Sequence, residues 1–282
     1  MDGNMEHFDA ALGTALSPLE IRIGMPHLSA AGLSLEWLLK EACHLHWNRI
    51  ASGWSAHPSE IRDLDGQRIL PSVVACTVNG DPHAFVEDDV CHLMQVVEPT
   101  VDNGWRSQAD LVTRGKAVRV EIVTSFARRN GPSNRSLESA NVDEALIPYY
   151  DDKGSKRADV LRLMGRADRV EANSSTSPPH LNTKIEQRHL NGVGLVYFAE
   201  IHRMITASEL NVTPDLVRAW PMRNRRVHFF ANLDEGDTLE LTSTTEVQAF
   251  TSATAVFVRT FAKRRSDQAL VATAEAIFGA PI

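Results

Sequence analysis

From Gly192 to Ala199 the chain reads Gly-Val-Gly-Leu-Val-Tyr-Phe-Ala, apolar on every side for a turn and a half of helix. A short polar run, Gln187-Arg188-His189-Leu190-Asn191, precedes it. A helix that is apolar all round has to be wrapped all round. The pattern therefore predicts a buried helix over about 194–210, with the strand-like runs that follow as its wrapper. A second helix of this kind is expected from Ser34, a fitting N-cap, to about Ser52, with Gly53 as the stop. At 100° per residue, Leu35, Leu38, Leu39, Ala42, His46 and Arg49 fall on one side of it. His46 thus sits near the middle of an otherwise apolar face.

Strand patterns surround both helices. Leu19–Ile23 alternates apolar and polar, and Gly24-Met25-Pro26-His27-Leu28 breaks it. Strands are predicted over Val73–Val78, Val90–Val97, Trp105–Thr113 and Val118–Phe126, with turn chemistry at Asp63-Leu64-Asp65-Gly66-Gln67. After the second helix come Arg225–Leu233, Asp237–Gln248, Ala253–Phe261 and Leu270–Phe278. Glu87–Leu93 echoes Glu235–Leu241, each an acidic turn opening a strand, which suggests one unit used twice. The expected domains are an N-terminal unit over 1–127, a linker or insertion over 128–185 with a short surface helix at Asp159–Met164, and a C-terminal unit over 186–282. Residues 1–17 read as a loose lead-in.

Composition narrows the class. The 282 residues are 43% hydrophobic, enough for a real core, and carry a net charge of −7, which disfavours non-specific nucleic-acid binding. No run of about 18 apolar residues marks a membrane span, and the acidic first twenty residues lack the basic start of a secretory signal. Cys43, Cys76 and Cys91 have no CxxC spacing and read as reduced, buried thiols of a cytoplasmic protein. No metal site is expected, because no Cys or His pair has finger spacing with a matching second pair.

One buried helix wrapped by a curved antiparallel sheet, occurring twice, is an α+β double hot-dog arrangement. The motifs Gly24-Met25-Pro26-His27-Leu28, Gly32–Glu41 and His46-Trp47, with Asn191–Ala199 and Arg226–Asp237, resemble one group in particular. This is the bacterial acyltransferase/decarboxylase family of polyketide biosynthesis, of the leinamycin-pathway type. The resemblance implies decarboxylation of a methylmalonyl thioester and delivery of the acyl group to an acyl carrier protein. It also implies an acylated tyrosine after an Asp-x-x-Gly-x-Arg turn. That turn aligns with Asp63–Arg68, and the tyrosine position falls on or near Leu70. A leucine has no nucleophilic oxygen, so self-acylation there is excluded. No resident cofactor is implied; CoA or phosphopantetheine enters as part of the substrate.

The candidate chemistry gathers around the helix starts. In this fold the helix N-terminus lies beside the thioester carbonyl, so Gly192, Val193 and Gly194 would offer backbone N–H groups to an oxyanion or enolate. His189 and Asn191, followed by Tyr197, partly resemble the Gly-His-Val-Asn-Asn run of acyl-CoA thioesterases, with Glu186 one place off the usual carboxylate spacing. His27 and His46 are candidate acid–base groups, and Tyr197 is a candidate hydroxyl donor. For each the competing role is structural: a capping residue, a satisfied core histidine, a packing aromatic. Arg223, Arg225 and Arg226 form a basic cluster suited to CoA phosphates or an acidic carrier protein. Three readings stay open: a decarboxylase/acyltransferase, a thioesterase or dehydratase-like enzyme, and a non-catalytic carrier-binding protein. With both units in one chain, either a monomer or a homodimer would serve.

Overall fold

The computed structural model describes residues 18–100, 104–143, 152–174, 177–214, 220–249 and 254–279; the lead-in over 1–17 lies outside them. Strands β1 (Leu19–Arg22), β4 (Leu70–Gly80), β5 (Val90–Thr100), β6 (Gly104–Thr113) and β7 (Lys116–Arg129) accompany helix α1 (Leu35–Gly53). Strands β9 (Leu181–Lys184), β10 (Met222–Phe229), β11 (Thr238–Ala249), β12 (Thr254–Arg264) and β13 (Leu270–Gly279) accompany helix α3 (Phe198–Val212). All ten join one antiparallel sheet in the order β1-β5-β6-β7-β4-β10-β13-β12-β11-β9, and β8 (Leu137–Ser139) adds to β7. A minor hairpin, β2 (Leu28–Ser29) and β3 (Gly32–Leu33), lies ahead of α1.

Outward from the central β4–β10 pair, the two halves of the sheet repeat the same strand sequence. This is the double hot-dog fold. The acidic turns at Glu87 and Glu235 enter β5 and β11, which hold equivalent places. The repeat reaches side-chain detail. Each half has a 3₁₀ turn between its first strand and its helix, Met25–His27 in one and Gln187–His189 in the other. The closing histidine accepts a backbone bond in both: Gly24 N to His27 Nδ1 at 2.9 Å, and Glu186 N to His189 Nδ1 at 3.0 Å.

Helix α1 begins as its sequence requires, with the Ser34 hydroxyl accepting from Trp37 N at 3.3 Å. It buries Leu38, Leu39, Ala42, His46 and Ile50 along one face. Strand β5 alternates buried and exposed from Val90 to Val97, which turns Cys91 and Leu93 toward α1. The second core sets Ile201, Met204 and Ile205 of α3 against Leu239, Leu241, Ala272 and Ala274. All three cysteines are buried and unbridged. No described helix is long and apolar enough to cross a membrane.

Three expectations need correction. The second helix starts at Phe198, not at 194. Gly192 and Gly194 weaken a helix here, and Asn191 supplies the alternative. Its side-chain oxygen accepts from Val193 N and Leu195 N, each at 3.1 Å, while Gly194 turns at φ +76°. A bridge from Leu190 to Val196 closes this loop.

The expected short helix at Asp159–Met164 is part of a 23-residue helix, α2 (Asp152–Ser174). It crosses the outer face of the sheet. Ala158 and Leu161 pack on Ala75 and Val123, and Ala172 packs with Phe261 and Leu270. Gly165 lets the helix come close: a Cβ there would lie 3.0 Å from the His228 ring. The segment 128–185 also holds the end of β7, β8 and β9.

The expected basic cluster is taken apart by the strand period. Arg225 is buried beneath α3, paired with Glu209 and 2.8 Å from Thr206 Oγ1. Arg226 reaches the opposite face, toward Asp168 of α2 at 3.4 Å, and Arg223 pairs with Asp81 at 3.2 Å. Adjacent strand residues point to opposite sides, so three near-consecutive arginines make no single patch. Removing one partner of a buried pair strands the other charge. Arg225→Met is expected to cost about 3–5 kcal/mol in urea unfolding, and most of that loss should return when Glu209→Leu is added.

Candidate functional site

A cavity of about 360 Å³ opens where the two halves meet. Its walls are α1 at Cys43, His44 and Trp47, the turn His57–Ser59, and the start of β4 from Ile69 to Val73. The C-terminal half adds the Asn191–Val196 loop, the first turn of α3, and Phe229, Ala231 and Asn232. Each half therefore supplies one side of the cavity. A second cavity of about 400 Å³ lies between Lys40 and Arg188, lined also by His189, Leu190 and Glu200. Asn191 and Tyr197 line both cavities. Lys40 Nζ bridges the two helices to Glu200 at 3.0 Å beside them.

The structure brings several predicted residues together here. Leu70, Asn191, Gly192, Val193 and Tyr197 line the first cavity, and His189 lines the second. Asn191 Oδ1 is occupied by the loop it holds, so its NH₂ is the group left to offer a ligand. His189 is buried, with Nδ1 accepting from Glu186 N. In the neutral ring Nε2 therefore carries the proton, and that N–H has no hydrogen-bond partner among the described residues. Burial, with help from Arg203 and Arg188, lowers the ring's pKa and keeps it neutral. Burial also pushes the Tyr197 phenol well above its ordinary range, with Cys43 beside it adding to the shift. The phenol stays protonated, 3.5 Å from Lys40 O.

Gly194 lies at the loop's turn, and its carbonyl accepts from Asn134 Nδ2 at 2.8 Å. Arg129 Nη2 holds the neighbouring Val193 carbonyl at 3.0 Å. These glycines are therefore not the helix N-terminus; that place falls to Tyr197, which makes no side-chain cap. The uncapped first turn of α3 faces the cavity through Phe198, whereas α1 starts under the Ser34 cap.

Three groups of candidates lie elsewhere. His27 packs on Trp37, ring centroids 4.6 Å apart, ahead of α1 and outside both cavity walls. His46 is in the core, with Nε2 2.9 Å from Thr124 Oγ1. Arg223, Arg225 and Arg226 line neither cavity. Conversely, His44, His57, Ser59 and Arg68 line the first cavity although no periodicity singles them out. The sequence signal for the His57–Ser59 pair is a polar turn built on Pro58.

No family model matches the chain, and no curated protein matches it in sequence. Solved structures do match it in fold. The 12:0-ACP thioesterase from Umbellularia californica superimposes with a TM-score of 0.66 at 9% identity, covering 96% of this chain and 98% of that one. An acyl-ACP thioesterase from Bacteroides thetaiotaomicron gives a TM-score of 0.57 at 12% identity, covering 93% and 97%. At such identities the likeness is one of fold, and the fold is the double hot-dog.

Burial also sets a pH dependence. It pushes the His46 ring down to about 3 from its ordinary 6.5. Between those values the unfolded chain takes up a proton that the folded chain refuses, so stability falls as pH drops through this window. His46→Gln should remove up to about 1.4 kcal/mol per pH unit of that fall. Urea unfolding of both proteins at pH values of about 7 and about 5 measures it.

Proposed function

We propose that the chain is an enzyme of acyl thioesters, taking its acyl group from CoA or an acyl carrier protein and cleaving the thioester bond. The observation that carries this reading is the cavity at the meeting of the halves, lined by apolar side chains together with hydrogen-bond donors. Leu70, Phe198, Ile201 and Phe229 suit an acyl chain. The Asn191 NH₂ and the uncapped first turn of α3 suit a thioester oxygen that gains charge as the bond breaks, with the His189 N–H on the adjoining second cavity. The solved structures of like fold are described as acyl-ACP thioesterases, which agrees with this substrate class.

The sequence resemblance supports a second reading, decarboxylation and transfer of a malonyl-type group in a polyketide pathway. The same donors would hold the enolate left by loss of carbon dioxide. Leu70 lines the cavity at the position aligned with the family's acylated tyrosine, so transfer through that position is closed to this chain.

Ala231→Trp fills the cavity from a partly exposed wall. It should weaken binding of an octanoyl-CoA thioether analogue by at least about tenfold without unfolding the protein, the order expected when a pocket for several methylenes is closed. Asn191→Ala should lower kcat/KM for octanoyl-CoA by about 10²–10³. Isothermal titration and a free-thiol assay measure the two; unchanged values in both would refute the site.

A further inference from the structure

The turn after α1 holds a nucleophile and a base that no motif points to. His57 Nδ1 lies 2.7 Å from Ser59 Oγ, and both residues line the first cavity. The tautomer is fixed by the backbone. Ser59 N–H donates to the same Nδ1 at 3.3 Å, so Nδ1 holds its lone pair and the neutral ring carries its proton on Nε2. The Ser59 hydroxyl is therefore the donor in the short bond, and its proton is already directed at a base. Backbone bonds keep the turn in place: Glu60 N donates to His57 O at 2.8 Å, and Arg62 Nη1 holds Ser59 O at 2.7 Å. Pro58 between them fixes one backbone angle of the turn. Cys43, also on the cavity wall, is a poor nucleophile, because burial pushes its thiol up to about 12, and burial likewise keeps the Tyr197 phenol protonated.

We propose that Ser59 is the acyl acceptor of this enzyme and His57 its general base, a dyad that takes the place of the tyrosine absent at Leu70. The step balances in atoms and charge. Ser59 Oγ bonds to the thioester carbonyl carbon while its proton passes to His57 Nδ1. The C–S bond breaks, and the departing sulfur takes that proton and leaves as a free thiol. Water then adds to the acyl-serine, giving a proton to His57; Ser59 Oγ leaves with it, and the acid is released. A carrier thiol in place of water turns the second half into acyl transfer. The inference rests on the thioester reading, and the two fail differently.

The test uses the full chain with acetyl-, octanoyl- and methylmalonyl-CoA. Intact-mass spectrometry after a rapid quench should show one acyl adduct, mapped to Ser59 by peptide sequencing. Ser59→Ala should lose the adduct and at least about 10³-fold of turnover while still binding the octanoyl-CoA thioether analogue. Ser59→Cys should restore an adduct, and His57→Ala should slow acylation by about 10²–10⁴. Both residues are exposed, so the fold is unaffected. An adduct on another residue, wild-type turnover in Ser59→Ala, or analogue binding with neither adduct nor turnover would overturn the dyad. Failure of the wild type to bind the analogue would overturn the thioester reading and the dyad with it.

Discussion

The pairing of β4 with β10 is the constraint on which the remaining architecture depends. It runs from Asn224 opposite Asn79 to His228 opposite Ala75 and makes one continuous sheet of two halves. Both helices then share the inner side of that sheet, and the middle of α1 and the first turn of α3 border a space that neither half encloses alone. On the outer side α2 crosses the same seam, packing on Ala75 and Val123 of one half while Asp168 meets Arg226 and His228 of the other. The seam is thus held from outside by a helix and occupied from inside by a cavity. A single half, cut at the seam, would expose a strand edge and lose one wall of the site.

Within this near-symmetry the two helix starts have diverged. The first carries His27 against Trp37 and a serine cap, and it is closed by its own side chains. The second carries a buried histidine whose N–H has no partner among the described residues, an asparagine that shapes a loop instead of capping, and a tyrosine that makes no side-chain cap. One scaffold therefore has a sealed end and an open end, and the open end faces the wall supplied by the other half. Arg129 at the end of β7 and Asn134 just beyond it brace the open loop by its carbonyls, so it keeps its shape without helical hydrogen bonds.

Much of this was legible in the sequence. Apolar periodicity and the Ser34 cap locate α1 closely, and the expected strand over Val90–Val97 falls within β5, although Gln95 is buried there while Val90, Met94 and Val96 are exposed. The helix before β10 starts later than the apolar pattern predicts, because Gly192–Val196 is apolar enough to extend that pattern. None of that run is buried, and apolarity does not record that Asn191 captures two backbone N–H groups locally. Arg223, Arg225 and Arg226 are near in sequence but form no patch, because successive residues of a strand point to opposite faces of the sheet. Helix α2 leaves only a weak apolar pattern in the sequence, because a narrow stripe of it, Ala158, Leu161 and Ala172, packs on the sheet. The His57–Ser59 pair carries no periodic signal: its meaning comes from the cavity it borders, which needs both halves to exist.

The central claim is that ligand is held at the seam by both halves at once. Hydrogen–deuterium exchange with and without an octanoyl-CoA thioether analogue measures this directly. Slowed exchange should appear together in the start of β4, at Leu70–Val73, and from Asn191 through the first turn of α3. Protection confined to one half, or found only along α2 on the outer face, would contradict the account.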